Sequence, residues 1–261
     1  MSHKKIEFCH EDLIESHRHA VMAQTAYMDG KEAKAIFKTL GWTGHKFFDH
    51  DGAQAHVVWN KKEVAVCFRG TEPTEISDIL ADLNAWPDKA MVGDGLVHNG
   101  FQNELEKLWV DITKELTPHL SKKLTICGHS LGGAMATICA SRLQMDIDVH
   151  CLYTYGSPRT GTSDYIKKFE HVRHFRFVNN NDIVPTVPLW LMGYRHHSDP
   201  MYIDFNGMIH AKMPYWQRLK DKLKGRWRAL KKGQVFDNVY DHSMQYYAQY
   251  TGEEADVRRD V

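Results

Sequence analysis

Apolar residues change period along the chain, and that change divides it. Between residues 10 and 29, Leu13, Ile14, Ala20, Val21, Ala23 and Ala26 recur at helical spacing, and the run ends near Gly30. A shorter helix is expected over KEAKAIFKTL, stopped by Gly41. The stretch HKFFDHDGAQAHVVWNKKEVAVCFRG then reads as three strands, turned at Asp51-Gly52 and Asn60-Lys61. Residues 75–85 predict a short amphipathic helix with Ile76, Ile79, Leu80, Leu83 and Trp86 along one side. A loop containing Gly93, Gly95 and Gly100 leads to a long helix over 100–118.

From there strands and helices alternate. KLTICGH, VHCLYTYG and HFRFVNN read as strands, LGGAMATICASRL and SDYIKKFEH as helices, and PMYIDF as one further strand. Apolar strands separated by helices imply a mostly parallel sheet with crossover helices, an α/β fold. No internal repeat or linker interrupts the pattern, so one α/β domain over 1–261 is expected.

Composition narrows the function classes. Thirty-three basic and 33 acidic residues cancel, so no global attraction to polyanions exists and any electrostatic signal is local. Five cysteines without short-range spacing read as buried thiols rather than a disulfide framework. No cleavable-signal pattern and no run of 18 apolar residues is seen, so the expected address is the cytoplasm, with signal-independent export left open. The 17 histidines are scattered without metal-ligand spacing, so no metal or organic cofactor is expected.

One short stretch carries chemistry. In TICGHSLGGAMA, Gly128-His129-Ser130-Leu131-Gly132 fits G-x-S-x-G at the seam between a predicted strand and a predicted helix. A serine on a strained strand-to-helix turn leaves no room for a Cβ two residues to either side, which the glycines supply. The pentapeptide arises by chance in roughly one chain of this length in twenty, so the strand–turn–helix context is what gives it weight. A small-residue turn serving tight packing is the structural alternative.

A serine hydroxyl needs a base and an orienting carboxylate, in this fold class in the order serine, acid, histidine. Asp182, at the end of the strand in FRFVNNNDIVP, is the first candidate acid, with Asp164 at a helix start and Asp199 in a loop as alternatives. His242 follows all the strands and opens the last helix. His196 and His197 precede a strand, and His210 competes with His242 as the base.

These blocks together resemble the class 3 lipase family, the fungal-lipase-like branch of the α/β hydrolases. The likeness runs over about residues 20 to 250 through VAVCFRGTE, ISDILADL, VHNGF, TICGHSLGGAMA, LYTYGSPRTG, FRFVNNNDIVPTVP and DHSMQYY. It implies an α/β-hydrolase fold, a mostly parallel central sheet flanked by helices with a short lid helix within residues 72–90. By the same resemblance Ser130 matches the nucleophile, Asp182 the acid and His242 the base. Thr71 and the backbone N–H of Leu131 match the oxyanion hole. Arg69 reads as a buried arginine paired to an acid. The chain departs from secreted fungal members in lacking their signal peptide and disulfides, and in inserting a segment before His242.

That insert, residues 211–233, holds nine basic residues against Asp221 alone. Trp216, Leu219, Leu223, Trp227 and Leu230 are spaced to fall on one helical face. Such a stripe under a lysine and arginine face fits an interfacial helix, and equally a surface helix packing its stripe on the domain. Nucleic acid is not an expected partner, because no recognition motif accompanies the segment. The function implied is a serine carboxylic-ester hydrolase acting on triacylglycerol or other acyl esters through an acyl-enzyme. A phospholipase A-type acyl hydrolase and a soluble-ester, feruloyl-type esterase are the rival substrates. A membrane-associating module with a vestigial hydrolase fold is the rival class.

Overall fold

The computed structural model describes residues 8–71, 86–231 and 241–259, with 228–231 and 258–259 as backbone only. Two helices, α1 (His10–Thr25) and α2 (Gly30–Thr39), open it. Asp29 caps α2 by accepting the backbone N–H groups of Lys31 and Glu32. Strands β1 (Gly44–His50), β2 (Ala53–Trp59) and β3 (Glu63–Phe68) follow as an antiparallel meander. Asp51 and Gly52, both at positive φ, make the first turn where the sequence placed it.

After β4 (Asp88–Lys89), β5 (Leu96–Val97) and α3 (Asn99–Leu116) come β6 (Lys123–His129), α4 (Leu131–Leu143), β7 (Val149–Tyr155), β8 (Gly161–Thr162), α5 (Ser163–Lys167) and β9 (His174–Asn179). The chain ends with β10 (Tyr194–Arg195), β11 (Pro200–Ile203), β12 (Ile209–His210), α6 (Tyr215–Lys231) and α7 (Met244–Arg259). The main sheet has the order β1-β2-β3-β6-β7-β9-β11-β12. Its five central strands, β3 through β11, are parallel.

Strand alternation separates two cores. Val64, Val66 and Phe68 of β3 join Leu124 and Ile126 of β6 in one cluster with Leu105, Leu108 and Ile112 of α3 and Ala136 and Ile138 of α4. Ala65, Cys67, Cys127 and Tyr153 turn to the other face, against Leu13 and Ala20 of α1, Phe37 of α2 and Tyr247 of α7. Burial on both faces is why the central strands read as unbroken apolar runs. The five cysteines are free, and all but Cys9 are buried.

Differences from the sequence reading are local. The helix expected over SDYIKKFEH is one and a half turns long. Four two-residue strands, β10-β8-β5-β4, form a small second sheet that is too short to leave a periodic signal. The helix expected over residues 75–85 lies outside the described residues, as do Ile76, Ile79, Leu80 and Leu83 of the expected lid. Trp86, at its described end, is 74% exposed. Among the described residues no helix is long and apolar enough to cross a membrane.

Several histidines are built into this framework as neutral groups. Burial lowers His19 and His56 to about 3, and burial also depresses His129 and His174. The unfolded chain therefore takes up these protons first as pH falls below the ordinary value of 6.5. Their stabilising contribution is complete above that value and is lost toward the folded values, by up to about 1.4 kcal/mol per histidine per pH unit. The urea midpoint should be nearly flat between about pH 7 and pH 8 and fall steeply below about pH 6. A flat midpoint down to about pH 5 would show that these rings protonate without penalty.

Candidate active site

The turn between β6 and α4 is the most constrained point of the backbone. Ser130 stands at φ 55° and ψ −128°, one of two described non-glycine residues at positive φ. Its N–H is held by the carbonyl of Tyr155, and its own carbonyl receives Gly133 N–H as α4 begins. A Cβ on Gly128 would lie 2.3 Å from the Gly132 carbonyl oxygen, and one on Gly132 would lie 2.5 Å from that of Phe68. A Cβ on Gly70 would meet the His129 carbonyl oxygen at 2.5 Å and the Ser130 Cβ at 3.2 Å. The glycines therefore let β3 approach the turn on one side and α4 leave it on the other.

Asp182 follows the end of β9 and is fully buried, as is His242 in the turn before α7. The His242 Nδ1 lies 2.9 and 2.8 Å from the two Asp182 carboxylate oxygens. A ring nitrogen facing a carboxylate carries the proton, so Nε2 is the lone-pair nitrogen. That Nε2 is buried and has no hydrogen-bond partner among the described residues. Asp182 also accepts the Val184 N–H at 2.9 Å and the Tyr247 hydroxyl at 2.6 Å. Burial and the neighbouring Asp182 charge push the Tyr247 phenol up, which keeps it a donor.

The three segments are tied by specific bonds. His129, the residue before Ser130, donates from Nε2 to the His242 carbonyl at 2.7 Å and accepts the Tyr27 hydroxyl at Nδ1, also at 2.7 Å. Burial and then the His242 charge lower its pKa, so it stays neutral in that role. Asn179 Nδ2 donates to the Asp241 carbonyl, and Asn181 N–H donates to the Asp241 carboxylate. Gly156, at φ 57°, borders the same crevice: a Cβ there would stand 2.7 Å from Asp182 and 2.9 Å from the His242 ring.

The other sequence candidates have separate employment. His210 Nε2 pairs with Asp204 at 2.9 Å. His196 and His197 donate to the carbonyls of Pro185 and Phe169. Asp164 is exposed in the first turn of α5, and Asp199 is exposed in a loop. Thr71 and Leu131 are half-buried beside Gly70 and Ser130. Arg69 is half-buried, donates to the Gln54 side-chain oxygen at 2.6 Å and lies over the Tyr27 ring. Among the described residues no cluster of histidine, cysteine and carboxylate groups could hold a metal ion.

Sequence reasoning missed Tyr27, His129 and Tyr247 as supports of the crevice. Tyr247 was within reach, since it lies five residues beyond His242 at the start of a helix. Tyr27 leaves no sequence signal, because its contact with His129 spans 102 positions.

The family model described as Lipase (class 3) matches residues 65–192. The toxin TseL of Vibrio cholerae is 35% identical over 152 residues, which are 57% of this chain and 23% of that protein. The secreted mono- and diacylglycerol lipase 1 of Fusarium solani is 32% identical over 152 residues, 55% of this chain and 45% of that one. The chain thus spans less than half the length of either relative. The triacylglyceride lipase structure of Rhizomucor miehei superimposes with a TM-score of 0.63 at 24% identity, covering 74% of this chain and 80% of that one, a likeness of fold.

The crevice geometry makes Gly156 a sensitive position. Gly156→Ala places a Cβ against both Asp182 and His242 at positive φ, whereas Gly41→Ala, at φ 87°, meets open space. Both carry the backbone cost of about 1 kcal/mol, and Gly156→Ala should add roughly 1–3 kcal/mol for the clash. Denaturant midpoints of the two variants measure the difference; equal losses would mean that the crevice relaxes around the methyl group.

Proposed function

The chain belongs to the class 3 lipase family and has its α/β-hydrolase fold, and from that premise we propose that it is a serine carboxylic-ester hydrolase acting on acylglycerol esters. The observation that carries the reading is the buried Asp182–His242 pair with its unpartnered Nε2, joined to the Ser130 turn through His129. We assign Ser130 as nucleophile, His242 as base and Asp182 as the group that fixes the His242 tautomer.

In this mechanism the Ser130 hydroxyl passes its proton to His242 Nε2 as Oγ attacks the ester carbonyl. The oxyanion is held by Thr71 and by the N–H of Leu131, a group at the start of α4 where backbone donors point outward. Collapse of the tetrahedral adduct expels the alcohol, which takes the proton from His242, and leaves an acyl-Ser130 ester. Water then attacks that ester with His242 again as base, releasing the carboxylic acid. Asp182 holds the His242 ring throughout, itself positioned by donors from Val184 and Tyr247.

A phospholipid acyl ester is the second reading of the substrate, favoured by the basic insert of residues 211–233, through which we propose peripheral contact with a lipid interface. The unit is taken as one hydrolase domain over 1–261, with residues 72–90 as its lid. Free thiols throughout agree with a cytoplasmic protein.

A fluorophosphonate probe should label the wild type and leave Ser130→Ala unlabelled, and Ser130→Ala should lower ester turnover on the order of 10⁴-fold or more. His242→Ala should fall comparably while His210→Ala retains activity. A dead His210→Ala beside an active His242→Ala would assign the wrong base. Labelling that persists in Ser130→Ala would remove the nucleophile assignment.

If residues 72–90 cover the site in water, hydrolysis of a short ester should rise as its concentration crosses the solubility limit. Simple saturation through that limit would leave the lid without a role.

A further inference from the structure

The two sides of α6 meet different surroundings. At 100° per residue, Asp221 and Gly225 fall opposite the row Trp216, Leu219, Leu223 and Trp227. The Asp221 carboxylate is buried and accepts the Asn180 amide at 2.8 Å, the Tyr202 hydroxyl at 2.9 Å and the Phe205 N–H at 3.2 Å. Gly225 lets the helix close on the same loop, since a Cβ there would stand 2.6 Å from the Asn180 side chain and 2.9 Å from that of Asn181. The Asn181 amide reaches the Lys222 carbonyl, and burial lowers the Lys222 pKa while the Asp182 charge opposes that shift. The inward side is polar and holds the tripeptide that runs into Asp182.

The apolar row therefore lies on the side of α6 opposite this loop. Trp216 is 71%, Leu219 39%, Leu223 59% and Trp227 63% exposed. Of the two readings the sequence left open, this exposure favours the interfacial one: among the described residues α6 rests on a polar loop, which takes the aspartate and glycine side. Lys220 and Lys224 on one flank and Arg226 on the other are exposed. The insert supplies nine basic residues against one acid, and that acid is the buried one.

We infer that α6 is a docking surface for an anionic lipid bilayer, with Trp216, Leu219, Leu223 and Trp227 entering the interface and the flanking lysines and arginines meeting the headgroups. Charge complementarity chooses this occupant over a second copy, because two such helices would bring like charges together. The inward side fixes the orientation. It is held by residues just beyond the carboxyl ends of β9 and β11, the sheet edge that also carries Ser130 and Asp182. Docking thus sets the crevice near the lipid, and in that purpose it rests on the acyl-ester reading.

The test uses ether-linked vesicles, which offer no ester to cleave, of phosphatidylcholine alone or with about one-third phosphatidylglycerol. The wild type should sediment roughly tenfold or more strongly with the anionic vesicles, and salt should weaken this. Lys220→Gln/Lys224→Gln/Arg226→Gln should lose that preference about tenfold or more. Trp216→Ser/Leu223→Ser should reduce sedimentation with both compositions. Both variants should hydrolyse a short soluble ester like the wild type. Equal sedimentation with both vesicle types, or with neither, by protein active on the soluble ester overturns the inference. So does a dimer in light scattering that Trp216→Ser/Leu223→Ser dissociates, which gives the stripe to a second copy. Vesicle binding by a protein inactive on every ester supports docking and removes the acyl-ester reading instead.

Discussion

At the carboxyl end of β6 three stretches of backbone come together with no space for a Cβ. The end of β3 lies against Gly132, the start of α4 lies against Gly128, and Gly70 lies against the Ser130 turn. Sheet order, helix placement and side-chain exposure at the crevice all follow from that approach. β3 must be the neighbour of β6, as the parallel register Phe68 to Gly128 has it, for Gly70 to reach the Ser130 turn. The positive φ of Ser130 is strain on the order of 1–3 kcal/mol, held because the surrounding contacts over-determine the turn.

The second requirement is a fully buried carboxylate whose oxygens are satisfied. Asp182 accepts from Val184 N–H, Tyr247 and His242. The carboxylate therefore connects the end of β9 to the start of α7, and the packing of α7 on α1 decides where His242 stands. The Asp182 carboxylate is thus a structural centre.

The same loop serves a third element. Asn179, Asn180 and Asn181 divide their bonds between Asp241, beside His242, and the inward side of α6. The insert is thereby attached to the crevice rather than suspended from the surface. Trp216, Leu219 and Leu223 lie exposed on its other side. A basic amphipathic helix has its two sides assigned by which one offers hydrogen bonds to the domain, and here Asp221 and Gly225 make that assignment.

Much of this was legible without coordinates. The change from period 2 to helical spacing placed the three meander strands, the β6–α4 seam and the alternating strands and helices, because central parallel strands buried on both faces are unbroken apolar runs. The Gly128-Ser130-Gly132 spacing marked the strained turn, since only glycine fits where backbones touch. The residues' own pattern left Asp182 beside Asp164 and Asp199, and His242 beside His210; the family resemblance pointed to Asp182 and His242. Local sequence gives each an environment, but contact between Asp182 and His242 spans 60 positions and is set by the packing of α7. The two-residue strands were too short for a period to register. The direction of the α6 stripe was likewise undetermined, because amphipathicity divides a helix into two sides without saying which meets the domain. Sequence thus determined the elements and the Ser130 turn, both of which depend on near neighbours. Tertiary structure supplied the contact between Asp182 and His242 and the exposure of the insert, which depend on distant segments competing for the same buried hydrogen bonds.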